Sequence, residues 1–206
     1  MSYGSQNIAV YSGSFNPLHI GHLAIIRHMI EVAGFDMVYL IVSPKNPLKD
    51  GISSDSGRER YMAAVEAVER RFLRSGQSAF GRNDSKAVET KVKVDDIELN
   101  MPEPHYTIRT LDALKEREPD NRFTLVMGAD NLADIRRWRD YTRILKEFGV
   151  AVFPREGHDL TEIKQDLLKE DPAYMIQILD AEMVDISSTQ IRNAIAEGED
   201  ISKYLM

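Results

Sequence analysis

Gly13-Ser14-Phe15-Asn16-Pro17-Leu18-His19-Ile20-Gly21-His22 joins the apolar run Ile8-Ala9-Val10-Tyr11 to a segment with helical spacing. The run is short and partly β-branched and ends at Ser12-Gly13, which predicts a buried strand feeding a tight turn. Beyond Pro17, Leu23, Ile26, Ile30 and Ala33 share one helical face, and Gly34 supplies a stop. Met37 to Val42 is a second buried strand, closed by Pro44 and Pro47. Strand, helix and strand in this order form a βαβ unit, which requires a parallel sheet with ligands at the carboxyl ends of its strands.

The alternation continues outward. Ser56-Gly57-Arg58-Glu59 matches a capping box and opens a helix to about Leu73. Residues 75–86, with their Gly, Ser and Asn, read as a surface loop. Val88 to Leu99 is expected as a strand, Thr107 to Glu118 as a helix and Phe123 to Met127 as a buried strand. Asp130 to Phe148 is expected as a helix, Val150 to Phe153 as a strand and Leu160 to Lys169 as a helix. Tyr174 to Leu179 is a further strand and Ser188 to Glu197 the last helix. The pattern predicts a doubly wound, mostly parallel α/β sheet with helices on both faces, in one domain over residues 1–206.

The chain has 206 residues and no cysteine, so disulfide frameworks, thiolate zinc sites and cysteine nucleophiles are excluded. Lys and Arg number 26 against 33 Asp and Glu, a net charge of −7, which disfavours a broad nucleic-acid-binding face. The longest apolar run, Met37 to Val42, is too short to cross a bilayer, and Met1 to Asn7 lacks a signal-peptide pattern. A cytoplasmic protein without nucleic-acid or membrane partners is expected; oligomeric state is not legible.

The segment after the first strand carries most of the chemistry. In a doubly wound sheet this position offers backbone N–H groups and a helix start to an anion. Gly13 permits the turn and a close phosphate approach. His19 and His22, three apart at a helix start, can face one ligand. Neither the Walker spacing nor the dinucleotide fingerprint is present. A pair of metal ligands is the competing reading of the histidines, and no third ligand lies near them in sequence. Near the other end, Ile186-Ser187-Ser188-Thr189-Gln190-Ile191-Arg192 gathers hydroxyls and a guanidinium at a helix start, as a polyphosphate requires.

GSFNPLHIGH resembles the GxFxPxHxGH signature of the nucleotidyltransferase superfamily, whose fold is Rossmann-like. Ile186 to Arg192 resembles that superfamily's ISSTxIR motif. Within it, Gly128-Ala129-Asp130 with Trp138 resembles the GxDxxxxxxxW pattern of nicotinate or nicotinamide mononucleotide adenylyltransferases. Tyr106-Thr107-Ile108-Arg109-Thr110-Leu111 is similar to their YTIDTL stretch, Pro44 to Lys49 to their PPHK loop and Phe153 to Gly157 to their RxG segment. Arg109 stands where Asp is usual, Pro104-His105 replaces small residues, and the loop at residues 44–49 lacks the histidine.

The resemblance implies transfer of AMP from ATP to nicotinate mononucleotide, giving the deamido dinucleotide and pyrophosphate in NAD biosynthesis. It implies His19 and His22 as catalytic residues. Gly13, Ser14, Phe15, Lys49, Ser188, Thr189 and Arg192 would bind the ATP phosphates. Asn16, Tyr106, Thr107, Gly128, Asp130, Trp138 and Arg155 would bind the mononucleotide, with Trp138 stacking on the pyridine and Asp130 holding ribose hydroxyls or orienting a histidine. Mg²⁺ is expected as a cofactor held through substrate phosphates, with no metal site on the protein itself. The alternatives are a nicotinamide mononucleotide or phosphopantetheine acceptor, or a nucleotide-sensing module without catalysis.

Overall fold

A computed structural model describes residues 4–44, 57–73, 91–181 and 188–205. Its sheet contains six strands: β1 (Asn7–Gly13), β2 (Met37–Val42), β3 (Val92–Asp95), β4 (Arg122–Gly128), β5 (Val150–Phe153) and β6 (Ile176–Ile178). They lie in the order β3-β2-β1-β4-β5-β6, every neighbouring pair parallel. The helices between them are α1 (Ile20–Glu31), α2 (Gly57–Val68), α3 (Thr107–Arg117), α4 (Ala129–Ala133), α5 (Tyr141–Arg143), α6 (Leu160–Glu170) and α7 (Ser188–Ala196). The expected α/β doubly wound architecture is present, and among the described residues the sheet is wholly parallel.

Side chains alternate across the strands, so each strand feeds two cores. Ile8 and Val10 of β1 point to one layer with Ile108, Leu111 and Leu114 of α3 and Leu167 of α6. Ala9 and Tyr11 point to the other, with Leu23, Ile26 and Met29 of α1 and Ala64 and Val68 of α2. Burying each large aliphatic side chain contributes about 1.5–3 kcal/mol, and a strand covered on both faces collects this at every position. Gly34, expected as the stop of the first helix, has a positive φ of 77° just past α1.

Four expected elements differ. The strand expected over Val88–Leu99 is limited to Val92–Asp95, because Ile97–Asn100 coils into a 3₁₀ turn with the Ile97 N–H bonded to the Asp95 carboxylate; residues 88–90 lie outside the described residues. The helix expected over Asp130–Phe148 is broken. Trp138 takes an extended conformation and Asp140 a left-handed one (φ 51°), so α4, a 3₁₀ turn at Ile135–Arg137, α5 and a π-helical turn at Ile144–Phe148 replace it. The strand expected over Tyr174–Leu179 pairs only at Ile176–Ile178. The expected helix to Leu73 becomes π-helical from Glu69, and its Ser56 cap lies outside the described residues, as does the loop at 75–86.

Candidate active site

The strand order reverses between β1 and β4, and the carboxyl ends of these strands, Gly13 and Gly128, flank the crevice this leaves. Gly13 admits a close neighbour, but the neighbour is internal: a Cβ there would lie 3.1 Å from the Phe15 ring. Phe15 has a positive φ of 43°, unusual for a side-chain-bearing residue, and is 3 % exposed. Its ring packs edge-on to Tyr11 and His22, at centroid distances of 5.5 and 5.2 Å.

His19 is the N-cap of α1 and His22 lies one turn in, with ring centroids 3.7 Å apart. The His19 N–H donates to Nδ1 of His22 at 3.2 Å, so the neutral His22 ring carries its proton on Nε2 and presents that N–H as a donor. Burial lowers the His19 pKa to about 4, aided by the nearby Arg155 guanidinium. Burial, His19 and Arg155 together hold His22 well below the ordinary histidine range. Both rings are therefore neutral at pH 7, and two imidazolium ions at this spacing would repel.

Across the crevice, Asp130 opens α4 and Arg155 follows β5. Arg155 Nε lies 3.9 Å from Asp130 Oδ1 and its guanidinium sits 5.3 Å from the Phe153 ring centroid. Asp130 faces Arg155, while the hydrogen bond that orients His22 comes from the backbone of His19. A Cβ on Gly128 would lie 2.4 Å from Asp130 Oδ1 and 3.2 Å from Arg155 Nε, so only glycine leaves this pair its place.

The two phosphate-type motifs, about 170 residues apart, meet here. Arg192 donates to the Asn16 carbonyl at 2.9 Å and to Thr189 Oγ1 at 3.0 Å, and Ser188 Oγ donates to the Pro17 carbonyl at 3.4 Å. Ser188 begins α7, as expected. Leu205 forms an isolated antiparallel bridge with His19, adding a second clamp from the carboxyl-terminal region.

Tyr106 is the N-cap of α3, its N–H bonded to the Pro104 carbonyl at 3.0 Å, which leaves Thr107 and Ile108 to head the helix. Arg109, the departure from the family pattern, donates to the same carbonyl at 2.6 Å and secures that turn. A cavity of about 270 Å³ beside this turn is lined by Pro44, Arg58, Glu98, Met101 and His105 among others, none of them expected from sequence as site residues. Trp138 packs against the core, and its buried indole N–H has no acceptor among the described residues. No hydrogen bond or ring contact among the described residues joins Trp138 or Tyr106 to the histidine cluster. Lys49 lies outside the described residues.

Arg60 was missed by sequence reasoning. It sits on α2, is 3 % exposed, and donates to the carbonyls of Ser14, Ser43 and Pro44, each at 2.8 Å. Arg58-Glu59-Arg60 reads as a solvated helix turn, and the available signal was the neighbouring apolar spacing of Ala64 and Val68, which places position 60 on the buried face.

Two outcomes follow from this geometry. Gly128→Ala turns the half-exposed Asp130 carboxylate aside; catalytic efficiency is expected to fall tenfold or more, while the urea midpoint stays close to that of the unchanged chain. Burial holds His19 near 4 in the folded chain against 6.5 for a free imidazole, so the unfolded chain binds more protons between these pH values. Stability is therefore lost progressively as pH falls from about 6.5 to about 4; buried His22 adds a loss of the same sign, so His19→Gln is expected to make the decline in urea midpoints shallower without abolishing it.

The chain is matched over residues 10–194 by the cytidylyltransferase-like family model. A probable nicotinate-nucleotide adenylyltransferase of Flavobacterium johnsoniae is 37% identical over 200 residues, covering 97% of this chain and 92% of the relative. One from Bacteroides fragilis is 34% identical over 196 residues, covering 95% and 85%. Among solved structures, Plasmodium falciparum nicotinic acid mononucleotide adenylyltransferase complexed with NaAD is similar with a TM-score of 0.71 at 21% identity, over 97% of this chain and 90% of that one. At that identity the likeness speaks for the fold, which it shares with the six-stranded sheet described above. With a family match over residues 10–194 and relatives above 30% identity, the chain belongs to the cytidylyltransferase-like family and, within it, to the nicotinate-nucleotide adenylyltransferases, which are nucleotidyltransferase enzymes.

Proposed function

We propose that the protein transfers AMP from ATP to nicotinate mononucleotide, releasing pyrophosphate and the deamido dinucleotide. The observation that carries the reading is the meeting of the His19–His22 pair, Arg155 and the start of α7 at the carboxyl end of β1. These groups are N–H donors and guanidinium cations, the complement of a triphosphate. The acceptor's phosphate is mostly dianionic near neutral pH, its second pKa being about 6. It therefore attacks the α-phosphorus unaided, the bond to the leaving pyrophosphate breaks, and the protein supplies no base and forms no covalent intermediate.

The remaining tasks are alignment and charge stabilisation. In this reading His22 donates from Nε2 to an oxygen of the reacting phosphate, and His19 and the Ser14 and Phe15 N–H groups stand beside it. Ser188, Thr189, Arg192 and Lys49 hold the departing phosphates. Arg192 already spans from Thr189 to the Asn16 carbonyl, so its charge is held at the loop in advance. Mg²⁺ accompanying ATP would be held through the substrate phosphates and would supply neutralisation of their charge. The site's imidazole and guanidinium groups suit the phosphates themselves.

For the acceptor, the start of α3 favours an anion through its leading N–H groups and dipole. The pyridine carboxylate is assigned to Thr107, with Tyr106 and Trp138 providing aromatic faces and Asp130 the ribose contact. Gly128, Asn16 and Arg155 complete that half.

Pyrophosphate release from MgATP, measured with nicotinate and then nicotinamide mononucleotide, tests the reading. A kcat/KM favouring the acid by tenfold or more is expected, and absence of turnover with either acceptor would sink it. Removing a preorganised donor costs about 2.7–4 kcal/mol, so His22→Ala is expected to lower kcat roughly a hundredfold or more while circular dichroism stays unchanged. A folded His22→Ala protein with near-normal turnover refutes the role of His22.

A further inference from the structure

The loop that would receive the triphosphate is held by a cation that cannot itself touch it. Arg60 is buried on α2, and its Nη1 donates to the Ser14 and Ser43 carbonyls while Nη2 donates to the Pro44 carbonyl. A buried cation costs several kcal/mol unless its donors are satisfied, and three carbonyl dipoles at 2.8 Å from Nη1 and Nη2 offset part of that cost. The fork geometry of the guanidinium lets one side chain serve three backbone groups that lie on two different loops.

The Ser14 contact has a directional consequence. In a trans peptide the carbonyl of one residue and the N–H of the next point in opposite directions. With the Ser14 carbonyl turned inward to Arg60, the Phe15 N–H points away from the guanidinium. This orientation coincides with the positive φ of Phe15, 43°, a conformation that costs of order 1–3 kcal/mol in a non-glycine residue and persists only when its surroundings hold it. Arg60 on the carbonyl and the buried Phe15 ring against Tyr11 and Gly13 are those surroundings. Released, the Ser14–Phe15 peptide can rotate, relieve the strain and withdraw the donor.

The far side of the clamp is anchored. Ser43, whose carbonyl Arg60 also holds, shares a hydroxyl hydrogen bond with Ser12 of β1 at 2.9 Å. Its side chain also bonds buried Glu98, which accepts from Thr110 of α3 at 2.8 Å. The polar chain therefore runs from the end of β1 through the end of β2 to the helix at the acceptor side.

We propose that Arg60 is a positioning residue: by holding the Ser14 carbonyl against this anchored network, it fixes the Ser14–Phe15 peptide with the Phe15 N–H directed to the nucleotide phosphates. The inference rests on the adenylyl-transfer reading above and deepens it. Arg60 contacts no reacting atom, and its effect passes through one peptide plane.

The test compares Arg60→Lys, Arg60→Met and Phe15→phenyllactic acid, the last replacing the Phe15 N–H by an ester oxygen while leaving the ring. Each full-length variant is checked for fold by circular dichroism, then assayed for pyrophosphate release and for binding of MgATP by calorimetry. Arg60→Lys keeps the charge without the fork and is expected to lose tenfold or more in kcat, with the KM for the mononucleotide within threefold of wild type. Arg60→Met is expected to lose more, and Arg70→Met, an exposed arginine paired with Glu66, to lose nothing. Phe15→phenyllactic acid is expected to match Arg60→Lys, and the two combined to lose no more than twofold beyond the worse single change. Multiplied losses, a loss confined to the mononucleotide KM, or a folded Arg60→Lys enzyme with kcat within twofold of wild type overturns the proposal. Should Arg60→Met fail to fold, Arg60→Lys and the ester variant decide alone. Should the wild type turn over no mononucleotide, the adenylyl-transfer reading fails separately, and a tenfold weaker MgATP affinity in Arg60→Lys still judges the clamp.

Discussion

A parallel sheet delivers every strand to the same edge with its carboxyl end outward, and this constraint organises the rest of the molecule. Because β1 connects toward β2 while β4 connects toward β5, the connections leaving the carboxyl ends of β1 and β4 diverge and leave a crevice between them. The loops leaving these two strands, one beginning at Gly13 and the other at Gly128, face each other there. Their glycines serve different neighbours: Gly13 makes room for the Phe15 ring beneath the phosphate loop, and Gly128 makes room for Asp130 and Arg155. Sheet topology thus creates the crevice, and two missing methyl groups shape it.

The phosphate loop is gripped through its backbone from two directions. Arg60 takes the Ser14 carbonyl from α2, and Arg192 takes the Asn16 carbonyl from α7. Phe15, between them, is locked by its ring in the core. Carbonyls held by protein cations leave the intervening N–H groups as the loop's outward chemistry. A loop built from freely rotating peptides would need to order its donors when the nucleotide arrives; this one has done so in folding, which is the condition for electrostatic preorganisation.

Much of this was legible in the sequence, for identifiable reasons. Strands buried on both faces, such as Met37–Val42, read as unbroken apolar runs, and the Ser188 and Thr107 helix starts carry local signals that tertiary contacts did not override. The break at Trp138–Asp140 was not legible: no Gly or Pro marks it, and Asp140 adopts its left-handed conformation within a charged stretch that suits a helix equally well. Val88–Leu99 alternates as a strand should, yet the Asp95 carboxylate caps a 3₁₀ turn after four paired residues. For Arg60 the apolar spacing of Ala64 and Val68 signalled burial, and only its partners were not legible. An arginine between Glu59 and Tyr61 has no visible partner until the fold brings three carbonyls to it, and that convergence depends on two loops distant from α2 in sequence.

The net charge of −7 and a triphosphate substrate are reconciled by distance and by the state of the histidines. At physiological ionic strength charges beyond about 8 Å are largely screened, so the site's own groups decide the local potential. Burial keeps His19 and His22 neutral, and the cationic side chains there are the guanidiniums of Arg155 and Arg192. The imidazoles contribute directed N–H donors instead. In the proposed reaction this division separates attraction from alignment: the guanidiniums would draw the anion in, and the neutral rings, one fixed in its tautomer by the His19 backbone, would donate to the reacting phosphate. At a ring spacing of 3.7 Å two imidazolium ions would repel, so close packing and burial together favour the neutral rings.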